Sequence, residues 1–285
     1  MISNMPTPTV SVHQSDIEES VYEALKEDVG SGDITADLIP EDSFSLATVI
    51  TREDCVFCGM DWFEEVYQQL DEEIFVEWNV QDGDSVSAGD AICSISGSTR
   101  SLLTGERTSL NFIQTLSATA TIAKQYADAV ADTDTIILDT RKTVPGLRLA
   151  QKYAVSCGGC QNHRLGLYDA ILIKENHISA CGSIKKAIES ARFKNPELPI
   201  EIEVENLGEV EQAIAANADR LLLDNFDTKK IRQAIKLCGN KIPLEASGGI
   251  TLDNVHEIAQ TGIDYISVGS LTKDIRAIDL SMCIS

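Results

Sequence analysis

Ile200-Glu201-Ile202-Glu203-Val204, a helix-period stretch at Val210–Ala216, and Arg220-Leu221-Leu222-Leu223 closed by Asp224-Asn225 form the passage that decides the fold. It reads strand, helix, strand, and the pattern repeats on both sides. Thr135–Leu138, Ala170–Ile173, Pro243–Ala246 and Tyr265–Val268 are strands of the same kind, short and rich in Ile, Leu and Val. Apolar runs of this sort suit parallel strands buried on both faces. Six strand–helix units predict an α/β barrel rather than an open sheet.

The chain has 285 residues, 43% hydrophobic and 24% charged, which is ordinary globular composition. No apolar run approaches the roughly 18 residues of a spanning helix. The opening Met1-Ile2-Ser3-Asn4-Met5-Pro6 lacks a secretory pattern, so a soluble cytoplasmic protein is expected. With 23 Lys and Arg against 45 Asp and Glu the net charge is −22, which argues against nucleic acid or an anionic membrane as partner. The charge is uneven. Residues 1–80 carry 19 acids and only Lys26 and Arg52, whereas Arg141–Glu175 carries Arg141, Lys142, Arg148, Lys152, Arg164 and Lys174 against Asp169 and Glu175. A cationic island in an acidic chain suits a small, multiply charged anion; exposed helix faces are the plainer alternative.

The eight cysteines are expected to be reduced thiols. Cys55-Val56-Phe57-Cys58 and Cys157-Gly158-Gly159-Cys160 have metal or redox spacing. However, no His follows the first pair at finger spacing, and the second lies in a glycine turn, so neither pair by itself is read as such a site.

Along the chain, residues 1–15 read as a mobile lead-in, 16–115 as an N-terminal domain and 116–285 as a barrel whose last residues can pack back on the first domain. Helical periodicity marks Asp16–Asp28. Short strands with one helix near Met60–Leu70 follow. From Thr108 a helix of about twenty residues carries Leu110, Ile113, Leu116, Ala120 and Ala123 as its apolar stripe. The turns around Val80–Ile92 are similar to the barrel-like sandwich of biotinyl and lipoyl carriers. No lysine lies between Lys26 and Lys124 to bear a swinging cofactor, so only the architecture is kept.

The strand ends carry the chemistry. They deliver Asp139-Thr140-Arg141-Lys142, Lys174-Glu175-Asn176-His177, Glu203 and Glu205, Asp224-Asn225, Ser247-Gly248-Gly249, and Gly269-Ser270. In barrels the active site gathers at that face. Ser247-Gly248-Gly249-Ile250 with Val268-Gly269-Ser270 is the composition of a phosphate cradle, where glycines let backbone N–H groups and a helix N-terminus approach phosphate oxygens. His163 and Arg164 follow a glycine turn inside the basic island and are candidate ligand contacts; His177 caps or orients its loop, and His13 and His256 are surface or packing residues.

These motifs, with Gly105-Glu106-Arg107-Thr108, Asp139–Gly146, Gly158–Gly166, Ile173–His177, Glu201–Glu205 and Glu245–Ile250, resemble the quinolinate phosphoribosyltransferase family (nicotinate-nucleotide pyrophosphorylase, carboxylating) from about Glu27 to Leu271. One departure is Cys160, where the family commonly has a third glycine. The resemblance implies an N-terminal mixed α/β sandwich, a C-terminal irregular six-stranded α/β barrel and a homodimer in which Arg107 reaches the neighbour's site. It implies transfer of phosphoribose from phosphoribosyl pyrophosphate to quinolinate with decarboxylation. Arg107, Arg141, His163 and Arg164 would clamp quinolinate, Thr143 would contact substrate, and Lys142 and Lys174 would serve the shared centre. Ser247, Gly248, Gly249, Gly269 and Ser270 would cradle phosphate. Glu203 and Asp224 would hold ribose hydroxyls or Mg²⁺, directly or through water or pyrophosphate. The rivals are a phosphoribosyltransferase for nicotinate or another substrate, a sugar-phosphate synthase sharing the glycine cradle, and a non-catalytic carrier or regulatory module.

Overall fold

The N-terminal elements follow from an alternation of short β-rich runs with two amphipathic helices and one long one. The protein is described here by a computed structural model covering residues 10–239 and 241–284. Helix α1 (Gln14–Asp28) is followed by β1 (Phe44–Thr51), β2 (Cys55–Val56), α2 (Met60–Leu70), β3 (Phe75–Trp78), β4 (Ser85–Val86), β5 (Ala91–Ser98) and α3 (Thr99–Ala129). The expected lead-in over 1–15 lies mostly outside the described residues, and its end needs correction: His13 caps α1, and Gln14 and Ser15 are helical.

Compactness divides the chain into two units. The first comprises residues 10–124, 143–159 and 272–284. It therefore takes in α4 (Arg148–Cys157) and the stretch 116–124, both placed in the barrel by sequence. Its antiparallel sheet runs β12-β1-β5-β3, where β12 (Leu280–Ile284) pairs with β1. One core packs Phe57, Phe63, Tyr67, Ile92, Ile95, Leu110 and Ile113. A second joins Ile17, Val21, Trp62, Phe112, Leu116 and Ala154 from the four helices.

Helix α3 begins nine residues before the position expected from its stripe, so Gly105 is not a turn glycine. A Cβ there would stand 2.5 Å from Tyr67 Cε1. Close approach of α2 and α3 selects glycine, and its low helix propensity is outweighed by the packing of Tyr67.

The second unit comprises residues 125–142 and 160–271 among those described. It contains β6 (Ile136–Leu138), β7 (Ile171–Ile173), α5 (Glu175–Cys181), α6 (Ile184–Lys194), β8 (Ile200–Val204), α7 (Leu207–Ala215), β9 (Arg220–Asp224), α8 (Thr228–Cys238), β10 (Leu244–Ser247), α9 (Val255–Ala259) and β11 (Tyr265–Ser267). All six strands are parallel, in the order β6-β11-β10-β9-β8-β7. A flat sheet would hold its end strands roughly 24 Å apart, at about 4.8 Å per neighbour. One cavity of about 330 Å³ touches residues at the ends of β6 and β7 together, so the sheet is curled. Its seam lies between those two strands, where Gln161 bridges Leu138.

Register separates the two faces. Ile200, Ile202, Val204, Leu221, Leu223, Leu244, Ala246 and Ile266 alternate with Glu201, Glu203, Arg220, Leu222, Asp224, Glu245, Ser247 and Ser267. The first set is buried and aliphatic. Five members of the second set line the cavity. The inward face of this parallel sheet is therefore largely polar, which differs from the uniformly apolar strands expected.

Replacing Gly105 by Ala should destabilise the protein by about 1–3 kcal/mol through overpacking against Tyr67, although Ala is the better helix former. Urea unfolding monitored by far-ultraviolet dichroism checks this; an unchanged or raised midpoint would contradict the packing account.

Candidate active site

Parallel strands point the same way, so their C-terminal ends meet at one mouth. Thr140, Arg141, Lys142, His163, Arg164, Leu172, Lys174, Glu203, Leu222, Glu245, Ser247 and Ser267 line the cavity there. Of the six bases in the island, Arg141, Lys142, Arg164 and Lys174 meet at this wall; Arg148 and Lys152 lie on α4 in the other unit. Burial lowers the affinity of Arg164 for its proton, and the neighbouring Arg141 charge lowers it further. Two guanidiniums held within each other's field are an arrangement that an anion relieves.

The loop that carries His163 and Arg164 is fixed from below. Gln161 donates its backbone N–H to Ile137 O at 2.9 Å. Asp139, fully buried, accepts from the His163 amide and from Asn162 Nδ2, both at 2.8 Å. Asp139 was legible only as part of a strand-end run. Cys160 is buried, and His163 and Arg164 beyond it both line the cavity.

His163 is tied more tightly than a simple ligand contact would be. Its Nε2 lies 2.8 Å from Glu201 Oε2 and 3.4 Å from Glu245 Oε2. The Arg164 amide nitrogen lies 2.9 Å from Nδ1, and Nε2 faces the two glutamates. Arg220 donates to Glu245 at 3.3 Å and stacks 4.2 Å over the Tyr265 ring. Burial alone would push the imidazole down, but Glu245 and Glu201 outweigh it and hold it up at about 10. Burial likewise raises Glu245, yet His163 and Arg220 bring it down to about 2. Glu201 is raised by burial and by the Glu245 charge. One extra proton therefore belongs to the His163–Glu201 pair as a unit. Arg220 was not legible as a functional residue, because a base at the start of a strand carries no motif; Glu201 and Glu245 appeared only within quoted stretches.

Nearer the rim, Lys174 Nζ sits 2.5 Å from Glu203 Oε2. Burial pushes Glu203 up and Lys174 pulls it down, with Asp224 on the next strand adding repulsion. Asn225 adopts φ +55° and donates Nδ2 to Asp224 at 2.8 Å. Two hard carboxylates on neighbouring strands suit Mg²⁺ chemistry, so the donor set fits that ion. His177 Nδ1 accepts from the Lys174 amide at 3.0 Å and caps α5.

Gly248 and Gly249 have φ of +94° and +62°, and a Cβ on Gly248 would fall 2.1 Å from Asn225 Oδ1. Gly269 lies against the Lys142 side chain. The helix after it, α10 (Ser270–Lys273), is a single turn, so the expected macrodipole contribution is small. The Ser270 hydroxyl is 3.3 Å from Tyr126 OH. Thr143 and Arg107 belong to the other unit. Thr143 accepts from Arg148 Nε at 3.2 Å. Arg107, exposed on α3, lines a separate polar cavity with Asp28, Asp33, Ile34, Leu103 and Thr104.

Comparison with known proteins covers both units. The model of the quinolinate phosphoribosyl transferase N-terminal domain matches residues 33–117, and that of the C-terminal domain matches 119–283. A probable nicotinate-nucleotide pyrophosphorylase (carboxylating) of Bacillus subtilis is 41% identical over 260 residues, covering 91% of this chain and 90% of its own. One from Synechocystis is 40% identical over 272 residues, covering 94% and 92%. The solved structure of the nicotinate-nucleotide pyrophosphorylase from Francisella tularensis superposes with a TM-score of 0.95 at 47% identity, over 98% of this chain and all of that one.

The raised proton affinity of the His163 cluster has a thermodynamic consequence. A group held at about 10 when folded, against 6.5 otherwise, contributes stability that is complete below pH 6.5 and lost as pH rises through 10. Urea midpoints should therefore fall more steeply between pH 6.5 and 10 in the unaltered protein than in His163→Asn. Parallel profiles would show that the pair holds no extra proton.

Proposed function

The chain belongs to the quinolinate phosphoribosyltransferase family, and from that premise we propose that it transfers phosphoribose from phosphoribosyl pyrophosphate to quinolinate with loss of CO₂, giving nicotinate mononucleotide and pyrophosphate for NAD synthesis. The observation that carries the reading is the mouth at which Arg141, Lys142, Arg164 and Lys174 line one cavity beside Glu203. Quinolinate presents two adjacent carboxylates on a pyridine ring. Planar, bidentate guanidiniums match that dianion, whereas a single carboxylate needs fewer cations.

Arg141 and Arg164 bind the carboxylates, with His163 holding the Arg164 loop and Arg107 and Thr143 completing the pocket. Lys142 and Lys174 meet the charge between the two substrates. Ser247, Gly248, Gly249, Gly269 and Ser270 receive phosphate through backbone N–H groups and hydroxyls. Glu203 and Asp224 take the ribose hydroxyls or Mg²⁺, which when bound neutralises charge on the pyrophosphate. The ring nitrogen attacks ribose C1 as the bond to pyrophosphate breaks, and the carboxylates stabilise the oxocarbenium character between them. The alkylated ring is a pyridinium whose positive nitrogen stabilises the carbanion left at C2 when the 2-carboxylate leaves as CO₂, and a proton from water then takes that position. Catalysis is then positioning and charge stabilisation rather than covalent attack by a side chain.

The same reading makes the protein a cytoplasmic homodimer. None of its eight cysteines is held in a disulfide, which suits a reducing compartment. Exposed Ile34, Leu38, Phe44 and Leu103 supply apolar surface on the unit that bears Arg107, as an interface requires. Among the described residues no helix is long and apolar enough to cross a membrane.

Arg141→Ala and Lys174→Ala should each lower quinolinate turnover by at least about 100-fold with the fold intact. Nicotinate should not replace quinolinate, and one CO₂ should appear per nucleotide. Near-normal turnover by Lys174→Ala, or use of nicotinate without CO₂ release, would overturn the assignment. Excess chelator should abolish the rate and Mg²⁺ alone restore it; a chelator-insensitive rate removes the ion from the proposal. Finally, Arg107→Ala and Lys174→Ala are both expected to be inactive alone. Mixed and allowed to exchange subunits, they should regain activity at about one quarter of the sites if Arg107 serves the neighbour. No recovery despite exchange would place Arg107 in its own subunit's site.

A further inference from the structure

Two cysteine pairs stand at reactive spacing in the sequence, and neither closes on itself. One member of each comes together instead, in the first unit. Cys58 precedes Gly59, the N-cap of α2, and Cys157 is the last residue of α4. Their sulfurs and a carboxylate oxygen of Asp82 all lie within 4.8 Å of one another. Cys58 is fully buried, with its amide held by Ser117 Oγ at 3.0 Å, whereas Cys157 is half-buried.

The Asp82 carboxylate is already occupied. Its Oδ1 accepts from the Gly59 and Met60 amides at 2.8 and 3.2 Å, and its Oδ2 accepts from Tyr153 OH at 2.8 Å. It serves as the cap of α2, which leaves the two sulfurs as the uncommitted chemistry of the cluster. We propose that they form a peroxide-oxidisable pair in which Cys157 is the attacking thiol and Cys58 the resolving one. This goes beyond the transferase reading and requires neither substrate.

The asymmetry of the pair fits these roles. The Cys58 thiol donates toward Cys157, and that bond lowers Cys157 against the opposing effects of burial and the Asp82 charge. Burial raises Cys58 well above a free thiol. By contrast, Cys55, Cys93, Cys160 and Cys238 are buried with raised thiols, and Cys181 and Cys283 are exposed.

The steps balance. The Cys157 thiolate attacks one oxygen of a hydroperoxide, the O–O bond breaks, and the departing oxygen takes a proton to leave as water or an alcohol. The sulfenic acid formed on Cys157 is then attacked by Cys58 sulfur. The S–O bond breaks, hydroxide leaves with the Cys58 proton as water, and an S–S bond forms. Two thiols lose two electrons and the peroxide gains them. A disulfide needs its sulfurs at about 2.05 Å. Cys157, half-buried in the last turn of α4, is the partner whose side chain turns to close that gap.

The test treats the full chain with hydrogen peroxide, alkylates remaining thiols and maps peptides by mass. The expected result is a dithiothreitol-reversible cross-link between the Cys58 and Cys157 peptides, about 2 Da lighter than their sum. In Cys58→Ser, dimedone should trap a sulfenic acid on Cys157; in Cys157→Ser, Cys58 should stay unlabelled. The unaltered protein alone suffices to refute the proposal. If Cys58 and Cys157 remain alkylatable at a peroxide dose that oxidises Cys181 or Cys283, or if Cys157 pairs with any other cysteine, the assignment fails.

Discussion

The architecture of the second unit depends on burying charge inside a curled parallel sheet. His163, Glu201, Arg220 and Glu245 are each no more than 9% exposed. An isolated ion at such a depth costs several kcal/mol, so the group is tolerable only because its opposite charges pair with one another. Removing one partner leaves the others uncompensated, which makes the set an all-or-none constraint on the loop that carries His163. Arg164 follows directly in the chain, and its amide is one of the bonds that hold the His163 ring. The loop that bears Arg164 is thus positioned by a cluster of which His163 and Glu245 also line the cavity.

That constraint also explains the division of labour between the two faces of the sheet. Aliphatic residues face the helices and supply the burial that holds the strands together, while the opposite face supplies charge in layers. Glu201 and Arg220 pair across β8 and β9, then Glu203 stands beside Leu222, then Ser247 beside Asp224. Moving along the strands leads from the buried cluster to the cavity. At the mouth the sign becomes positive through Arg141, Lys142, Arg164 and Lys174, although the whole chain carries −22. A local cationic wall in an acidic protein focuses small anions while the remaining surface repels polyanions.

Much of this was readable in advance. The six strands lie within a residue of the sequence boundaries, because β-branched and leucine runs between capped helices leave little choice, and the strand ends identify the mouth directly. What was not readable arose from tertiary contacts. Ile200-Glu201-Ile202-Glu203-Val204 alternates with period two, a signal shared by solvent-facing strands and by strands whose inner face is charged. Arg148 and Lys152 look continuous with Arg141 in sequence, but the chain passes into the other unit after Lys142. Gly105 appears in sequence only within the motif Gly105–Thr108, whereas Tyr67 makes it a packing position on α3. The cysteine spacing pointed within each pair, and only the meeting of α2 with α4 shows that Cys58 faces Cys157.

The central claim is that the cations on the strand ends recognise a doubly anionic pyridine. A crystal structure with quinolinate bound tests it most directly. The account predicts both carboxylates in contact with Arg141 and Arg164 and the ring beside Lys174, within the cavity walled by Leu172 and Leu222. Density for the ring at any place away from those three cations would contradict it.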